Sequence, residues 1–417
     1  MSPLRVDFHF DFSCPYAYLG STRIESLCTA HGVELRWQPF LLGGVLRALG
    51  APDDLSTAMS SGKRDHNRRD MQRWASHWGV ELAMPSSHPQ RTVRALRALL
   101  SAPEASWPTV IHAIFRGYWV DGLDITSPAI LAELLASAGL APDDVRVALA
   151  ANDDPAIKTE LRRRTDEALE LGVFGAPTTV IHGGEQPELY WGQDRLPEID
   201  RRMAGRAAST WPQRSPARGR CLDFYYDFSS PFAYLACAQI EAAAAAIGAE
   251  LHYKPMLLGG LFRAVGTADV PLFEMSESKQ RYQRIELERT ARTLGIDFQF
   301  ATNFPIRSIL PLRVALAADE RIADVSRALF AAAWSQGHNI ESPDVLASIL
   351  AGLGLDGAEL LARAQSQPVK DQLRANTEQA AERGVFGAPT MVVTEPGDEQ
   401  ELYWGGDRLA LMVERHR

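Results

Sequence analysis

The sequence contains few cysteines, and their arrangement argues against the usual cooperative roles of this residue. The four cysteines are Cys14, Cys28, Cys221 and Cys237, and no two of them form a Cys-x-x-Cys pair or a metal-ligand spacing. The ten histidines form no i, i+4 pair with a carboxylate cluster. We therefore expect neither a structural disulfide nor a metal site, and we expect reduced thiols in a reducing compartment.

Long apolar runs and an excess of basic charge are also missing. No run of about 18 apolar residues occurs, and the N-terminus lacks the features of a signal peptide, which predicts a cytoplasmic protein with no membrane partner. The 52 acidic residues outnumber the 43 lysines and arginines, giving a net charge of −9 that does not support a nucleic-acid partner. At 417 residues the chain is long enough for at least two domains.

An internal duplication runs through almost the whole chain. The stretch Asp-Phe-Ser-Cys-Pro-Tyr-Ala-Tyr-Leu around Cys14 returns as Asp-Phe-Ser-Ser-Pro-Phe-Ala-Tyr-Leu around Ser230. Later matches place Pro177 opposite Pro389, so the copies differ in length only by small deletions. Each copy has roughly 200 residues, the size of a domain.

Within each copy the pattern predicts an α/β fold with a helical insertion. In copy one, the predicted order is a strand at Leu4–Phe10, a helix at Pro15–Ala30, a strand at Val33–Trp37, a long helical run, strands at Thr178–His182 and Glu188–Trp191, and a helix from about Asp194. Copy two repeats this order from Leu222 onward.

The predicted domain boundaries follow from this order. The first repeat covers 1–206, with its helical insert at about 50–170, and the second covers 221–417, with its insert at about 266–382. A linker is predicted at 207–220, because the basic, acid-free segment Arg201–Arg220 contains two prolines.

Cys14 and Ser230 occupy equivalent strand-to-helix turns, each followed by a proline suited to the first helical position. A side chain at this point faces unpaired N–H groups and the positive end of the helix dipole, which favours a thiolate. Either Cys14 is itself that thiolate, or Cys14 and Ser230 hold the thiolate of a bound thiol ligand.

Two further blocks are shared by the copies. The first, Gly-Val-Phe-Gly-Ala-Pro-Thr, contains Ala176-Pro177 and Ala388-Pro389, and these prolines either only shape the loop or form cis bonds that present the preceding backbone to an extended peptide. The second block, Tyr-Trp-Gly-x-Asp-Arg-Leu, places Asp194 or Asp407 at a helix start. This position predicts an N-cap, or a site for an α-amino acid group.

Together these motifs resemble those of the kappa-class glutathione transferases, and most closely the 2-hydroxychromene-2-carboxylate isomerases. The resemblance spans both copies and includes Lys279-x-x-Tyr282 with Glu286-x-x-Arg289. It implies two tandem thioredoxin-like domains of the DsbA superfamily, each with a large all-helical insertion, and glutathione bound between the thioredoxin-like part and the helices.

The resemblance also implies roles for individual residues. Ser230 would orient the glutathione thiolate, Ala388 would bind its cysteinyl backbone, and Asp407 would contact its γ-glutamyl end. Lys279 or Lys63 would lie near the glycyl carboxylate. The implied glutathione-binding positions, including the polar substrate-side residue Asn303, are Ala176, Pro177, Gln193, Asp194 and Lys63 in copy one and Lys279, Asn303, Ala388, Pro389, Gly406 and Asp407 in copy two.

Copy one departs from the family pattern. Cys14 replaces the serine, His66 the tyrosine and Ser87 the asparagine. A cysteine before proline resembles the nucleophile of DsbA-like oxidoreductases, but Ala17 occupies the position of the partner cysteine, so an external thiol would have to release any mixed disulfide.

The resemblance implies a glutathione-dependent isomerase of 2-hydroxychromene-2-carboxylate or a related aromatic-catabolism intermediate, working by reversible thiolate addition, with Ser230 in the active copy. The alternatives are a DsbA-like thiol-disulfide oxidoreductase using Cys14 and a glutathione-binding protein without turnover. The expected partners are glutathione and a small aromatic substrate. The chain is expected to form a pseudo-dimer by itself or to pair as a homodimer.

Overall fold

The structure, a computed structural model, describes residues 4–51, 59–206, 211–214, 219–267 and 270–417. Within these residues each repeat forms four β-strands and nine α-helices. The first repeat contains β1 (Arg5–Phe10), α1 (Pro15–His31), β2 (Glu34–Pro39), α2 (Leu42–Ala48), α3 (Ser61–Trp78), α4 (Val93–Ser101), α5 (Trp107–Trp119), α6 (Pro128–Ser137), α7 (Pro142–Ala150), α8 (Pro155–Glu170), β3 (Thr178–His182), β4 (Glu188–Trp191) and α9 (Leu196–Ala204). The second repeat contains β5 (Cys221–Tyr226), α10 (Pro231–Ile247), β6 (Glu250–Pro255), α11 (Leu258–Val265), α12 (Glu277–Leu294), α13 (Ile309–Ala317), α14 (Ile322–Trp334), α15 (Pro343–Gly352), α16 (Gly357–Ala364), α17 (Gln367–Glu382), β7 (Thr390–Thr394), β8 (Gln400–Trp404) and α18 (Leu409–Arg415).

The two sheets have the same topology. The strand orders are β2-β1-β3-β4 and β6-β5-β7-β8, and in each sheet the first pair is parallel and the other two pairs are antiparallel. Two strands precede the run of helices and two follow it. The predicted α/β fold with a helical insertion in each repeat is therefore confirmed.

Alternation along β1 explains how the first sheet packs. Val6, Phe8 and Phe10 are fully buried on one face, as the period of two predicted. The Phe10 ring lies 5.7 Å from the ring of Phe115 in α5, so the helical insertion covers this face of the sheet. Trp119 at the end of α5 donates its indole N–H to the carbonyl of Phe12 at 2.9 Å, which ties the insertion to the turn after β1.

The second sheet uses the same contacts with different side chains. Tyr226 replaces Phe10, packs 5.5 Å from Phe330 in α14 and forms a 2.5 Å hydrogen bond with Ser326. Trp334 donates its indole N–H to the carbonyl of Phe228 at 2.8 Å. The turn after β5 is therefore held by an insertion tryptophan in the same way.

The chain folds into two compact units whose boundaries do not follow the repeats completely. The first unit consists mainly of the first repeat but includes Ser276–Tyr282 from the second. The second unit consists mainly of the second repeat but includes Met59–Asp70 from the first. Each unit therefore contains one sheet and the first part of the helix α3 or α12 that belongs, in sequence, to the other repeat.

The predicted linker at 207–220 falls partly on residues 207–210 and 215–218, which lie outside the described residues. Residues 52–58 and 268–269, near the predicted starts of the two inserts, also lie outside them. In the part of the chain that is described, no helix has both the length and the apolar character needed to cross a membrane.

Candidate functional site

The site in the second unit is built on the turn between β5 and α10. Asp227 lies 1% exposed at this turn, where one carboxylate oxygen accepts the N–H of Ser229 and the other accepts the N–H of Leu258, both at 2.8 Å. Burial raises the pKa of Asp227, while these N–H groups and the Ser308 hydroxyl act in the opposite direction. The carboxyl group therefore fixes the turn, as the equivalent Asp11 does in the first unit.

Ser230 caps the start of α10, directly before Pro231. Its Oγ accepts the N–H of Ala233 at 3.2 Å and donates to the carbonyl of Ala388 at 3.0 Å. The Ala388-Pro389 bond is cis. The structure thus brings these three predicted residues together. The Ala388 carbonyl faces the Ser230 hydroxyl, whereas one of the two alternatives left by the sequence was a backbone turned outward towards a ligand.

The two shared sequence blocks pack against each other. A Cβ added at Gly387 would lie 2.7 Å from Nε1 of Trp404, so this position has room only for glycine. The next residue of the second block, Gly405, has φ 98° and donates its N–H to the carbonyl of Pro389 at 3.0 Å. This contact explains why both blocks are retained together in the two copies.

The structure corrects the predicted role of Asp407 as an N-cap. Gly405 occupies the cap of a single 3-10 turn at Gly406–Arg408, and no side chain caps this turn. The Asp407 carboxylate instead folds back over Gly405, where an added Cβ would lie 2.4 Å from its Oδ1. The Asp407 side chain is 34% exposed, which leaves it partly accessible to a ligand, and its Oδ2 also lies 3.3 Å from the Arg408 guanidinium. Asp194 has the same place in the first unit, at the second position of the turn at Gln193–Arg195.

The first part of α3 completes the site of the second unit. His66 accepts the backbone N–H of Trp404 on its Nε2 at 3.2 Å, and Lys63 places its ammonium 5.5 Å from the centre of the Trp404 ring. Asp70, which is 1% exposed, accepts two hydrogen bonds from the Arg408 guanidinium at 2.9 and 3.0 Å. Burial lowers the pKa of Lys63.

The first unit has the reciprocal arrangement. Tyr282 accepts the backbone N–H of Trp191 on its hydroxyl at 3.1 Å, and the Lys279 ammonium lies 5.0 Å from the centre of the Trp191 ring. Lys279 therefore lies in the unit that contains the turn of Cys14, although in sequence it belongs to the second repeat, which contains Ser230. His66 and Tyr282 were not predicted as parts of the site. Their spacing of three residues from the two lysines, which places each pair on one helix face, was the signal available.

In the first unit, Cys14 occupies the position equivalent to that of Ser230 in the second. Its Sγ donates to the carbonyl of Ala176, which precedes the cis bond to Pro177, at 3.0 Å. Burial raises the pKa of the Cys14 thiol to about 12, and this outweighs the opposite effect of the Ala17 and Tyr16 N–H groups at the helix start. This turn therefore holds a protonated thiol, in contrast to the thiolate that a helix N-terminus alone would favour.

A family model described as a DSBA-like thioredoxin domain matches the chain twice, over residues 5–204 and 221–416. The chain belongs to the DsbA-like thioredoxin domain family. Among curated relatives, a 2-hydroxychromene-2-carboxylate isomerase of Pseudomonas putida is 30% identical over 194 residues, which cover 46% of this chain and 90% of that protein. Glutathione S-transferase kappa 2 of Caenorhabditis elegans is 29% identical over 201 residues, covering 46% of this chain and 88% of that protein.

A solved structure of a 2-hydroxychromene-2-carboxylate isomerase is 27% identical, covers 48% of this chain and 94% of its own, and has a TM-score of 0.41. Because these two curated relatives each match about half of this chain and nearly all of themselves, this chain carries two DsbA-like copies where each of them carries one. The predicted tandem duplication is confirmed.

Gln193 of the first DsbA-like domain has no counterpart side chain in the second, where Gly406 stands. It is 2% exposed and packs against α1, with its Cβ 3.5 Å from the position of a Cβ at Gly20. Its Nε2 is buried and has no hydrogen-bond partner among the described residues. Gly406 instead approaches Ala236 of α10, where an added Cβ would lie 3.4 Å from the alanine methyl group.

Asn303 lies in a loop of the second DsbA-like domain, directly before the cis Phe304-Pro305 bond. Its Nδ2 donates to Asn339 at 3.1 Å and to Glu341 at 3.0 Å. These two hydrogen bonds do not reach the turn of Ser230. The next residue, Phe304, packs with its ring 6.3 Å from that of Trp334, which is hydrogen-bonded to the turn after β5. In the first domain the equivalent Ser87 accepts a hydrogen bond from Gln90 at 2.7 Å.

Proposed function

We propose that this protein is a glutathione-dependent isomerase of 2-hydroxychromene-2-carboxylate or a related intermediate of aromatic catabolism, and that the second domain is the active one. The observation that carries the proposal is the Ser230 hydroxyl, held at the N-terminus of α10 and 3.0 Å from the carbonyl before cis-Pro389. The names of the relatives, isomerase and glutathione transferase, support this choice of reaction and ligand.

The residues around Ser230 fit a peptide-like thiol. The hydroxyl hydrogen can rotate from the Ala388 carbonyl to a ligand sulfur, and the N–H groups at the start of α10 favour negative charge there. The backbone of Ala388 then becomes available to an extended peptide. Lys63 adds a positive charge beside Trp404, suited to a carboxylate, and the accessible Asp407 carboxylate suits an ammonium group.

Bound glutathione would supply a thiolate that adds reversibly to a conjugated carbonyl, permits rotation about the former double bond and leaves unchanged. The chain's part is to keep that sulfur ionised and to orient the aromatic acid. Each tenfold gain in the ionised fraction corresponds to about 1.4 kcal/mol of preferential thiolate stabilisation. One hydroxyl hydrogen bond to a charged sulfur is worth ~1.5–3 kcal/mol, which matches a gain of ten- to a hundredfold.

Turnover of 2-hydroxychromene-2-carboxylate with glutathione, followed by absorbance on the full chain, tests the proposal. Ser230→Ala should lower kcat/KM by ~10–100-fold, because it removes the hydroxyl hydrogen bond to the thiolate. Cys14→Ala is the matched control at the equivalent turn and should keep most of the activity. Full activity in Ser230→Ala, combined with a loss in Cys14→Ala, would overturn the assignment of the second domain as the active one.

The thiol-disulfide alternative has less support from the same geometry. Burial raises the pKa of the Cys14 thiol to about 12, and Ala17 stands where a resolving cysteine would be needed. Saturable glutathione binding by calorimetry, without turnover of any tested isomerase substrate, would instead favour a binding protein. A cytoplasmic location is part of the proposal and fits the four free cysteines.

A further inference from the structure

A cluster of metal-binding side chains lies at the start of the parallel pair β5 and β6. One ligand atom from each of Cys221, Glu250 and His252 lies within 4.8 Å of the other two. In the register of the two strands Cys221 stands opposite Glu250, and Asp223 stands opposite His252. Side chains two residues apart on a strand share a face, so all four project from the same side of the sheet.

Asp223 orients the imidazole within this cluster. One of its carboxylate oxygens lies 2.9 Å from Nδ1 of His252, and Arg383 holds the other oxygen. Because a carboxylate only accepts hydrogen bonds, Nδ1 carries a proton. Nε2 lies 3.3 Å from Oε1 of Glu250, and a metal ion bound between these two atoms would take the place of any proton on Nε2. A carboxylate holding the far nitrogen of a histidine is the usual support of a zinc-bound imidazole.

The first repeat shows what this position looks like without metal ligands. There Arg5 pairs with Asp7 at 2.9 Å, and Arg36 pairs with Glu34 at 2.7 Å. The second repeat keeps both carboxylates, as Asp223 and Glu250, but has cysteine and histidine in place of the two arginines. The two cationic side chains are thus replaced by the two ligand types that Zn²⁺ prefers.

We propose that Cys221 Sγ, His252 Nε2 and the Glu250 carboxylate bind a Zn²⁺ ion, with water in the fourth position. In a tetrahedral zinc site with bonds of 2.0–2.3 Å, the ligand atoms lie ~3.3–3.6 Å apart. The histidine and glutamate atoms already have this separation, and the sulfur lies within 4.8 Å of both, so a shift of at most ~1.5 Å is needed, which rotation of these partly exposed side chains provides. Binding forms the Zn–S bond and releases the thiol proton of Cys221 to solvent.

This site is separate from the proposed glutathione site. Cys221 begins β5 and the turn of Ser230 follows the other end of the strand, so the two lie about 17 Å or more apart at the usual rise per residue. The ion would join the edge strand β6 to β5. The inference therefore does not depend on the proposed function, and either can fail without the other.

Calorimetric titration of the metal-free full chain with ZnCl₂ tests the site, together with the absorption spectrum of the Co²⁺-loaded chain. We expect one ion per chain and a thiolate-to-cobalt charge-transfer band. The double variant Cys221→Arg/His252→Arg, which copies the first repeat and should fold, is expected to weaken binding at least 100-fold and to abolish the band. Glu250→Gln, at an exposed position, should weaken binding about tenfold.

Cys28→Ala removes a thiol elsewhere and is the matched control, expected to bind like the parent chain. Absence of saturable zinc binding would overturn the proposal. Equal binding by the arginine double variant, or a cobalt spectrum without the thiolate band, would overturn it as well.

Discussion

The two repeats place Cys14 and Ser230 in the same turn, at the same 3.0 Å distance from the carbonyl before a cis proline, and yet they offer different chemistry. Ser230 is neutral and can donate a hydrogen bond to a bound thiolate. Cys14 would have to ionise, and burial raises its pKa to about 12. A helix N-terminus therefore does not produce a thiolate where desolvation is the larger effect.

The exchanged helix segments, Met59–Asp70 in the second unit and Ser276–Tyr282 in the first, also differ in their side chains. His66 and Tyr282 have different chemistry, but each accepts the backbone N–H of a tryptophan beside a shared sequence block. The departure of copy one from the family pattern at position 66 therefore preserves the contact. What the two units share is an acceptor at this place, contributed by the helix of the other repeat.

The largest expected effect tests how strongly the exchanged segment is held. Asp70→Ala removes the buried partner of the largely buried Arg408 guanidinium, which keeps its pair with the partly exposed Asp407, and should lower the free energy of unfolding by ~3–5 kcal/mol, measured in urea. Asp65→Ala, in the same helix, breaks an exposed pair with Arg68 and should cost under ~1 kcal/mol. Equal losses in the two variants would show that the segment is not anchored by Asp70.

The contrast between thiol and hydroxyl predicts a slow reaction of Cys14. At pH 8 its thiolate fraction is about a thousandfold below that of a free cysteine, because burial raises its pKa to about 12. Iodoacetamide labelling followed by peptide mass spectrometry should show this slow rate, rising about tenfold per pH unit between pH ~7 and ~10. The urea-unfolded chain is the control and should react at the ordinary rate. Fast labelling of Cys14 in the native chain at neutral pH would contradict the prediction that this turn holds a protonated thiol.

The shared blocks predict equal sensitivity in the two copies. Gly387→Ala and Gly175→Ala each place a methyl group within 2.7 and 2.6 Å of a tryptophan Nε1, so each should cost ~1–3 kcal/mol of unfolding free energy. Gly259→Ala, in α11 with nothing within 4 Å, is the control and should stabilise by ~0.5–1 kcal/mol. A large difference between the first two variants would mean that the blocks pack differently in the two units.

The smallest expected effect is that of His66→Tyr, which gives the second unit the side chain of the first. Because the tyrosine hydroxyl accepts the same N–H in the first unit, the free energy of unfolding in urea should change by less than ~1 kcal/mol. His66→Phe keeps the ring without an acceptor and should cost ~1–3 kcal/mol, since the Trp404 N–H loses its partner. Matching losses in both variants would show that the hydrogen bond contributes little.

The sequence predicted the strands well because proline and glycine residues mark where they begin and end. The predicted spans of β3 and β4 match the observed ones, since Pro177 directly precedes β3 and Gly192, with φ 106°, ends β4. The alternation of the apolar residues Val6, Phe8 and Phe10 with polar ones in β1 was equally direct, although the structure buries Asp7 and His9 as well. The duplicated blocks identified the turn of Ser230 and its proline partner, because both carry backbone conformations that few residues satisfy.

Features that depend on tertiary packing were not predictable in this way. Sequence position pairs Lys279 with Ser230, whereas the structure places Lys63 in that unit, because which sheet a helix reaches is decided by long-range packing. The burial that keeps the Cys14 thiol protonated also comes from the rest of the fold. Asp407 was predicted as a cap from its place after glycine, but the backbone of Gly405 itself takes that position.

The exchange of Met59–Asp70 and Ser276–Tyr282 between the two units couples the evolution of the two halves of the gene. A mutation in the first half of the gene at the codon for Lys63, His66 or Asp70 alters contacts with Trp404 or Arg408 in the second repeat, so neither half can drift alone. Separated halves would each lack the helix segment that the other repeat contributes, and a fused gene supplies both segments in a fixed one-to-one ratio.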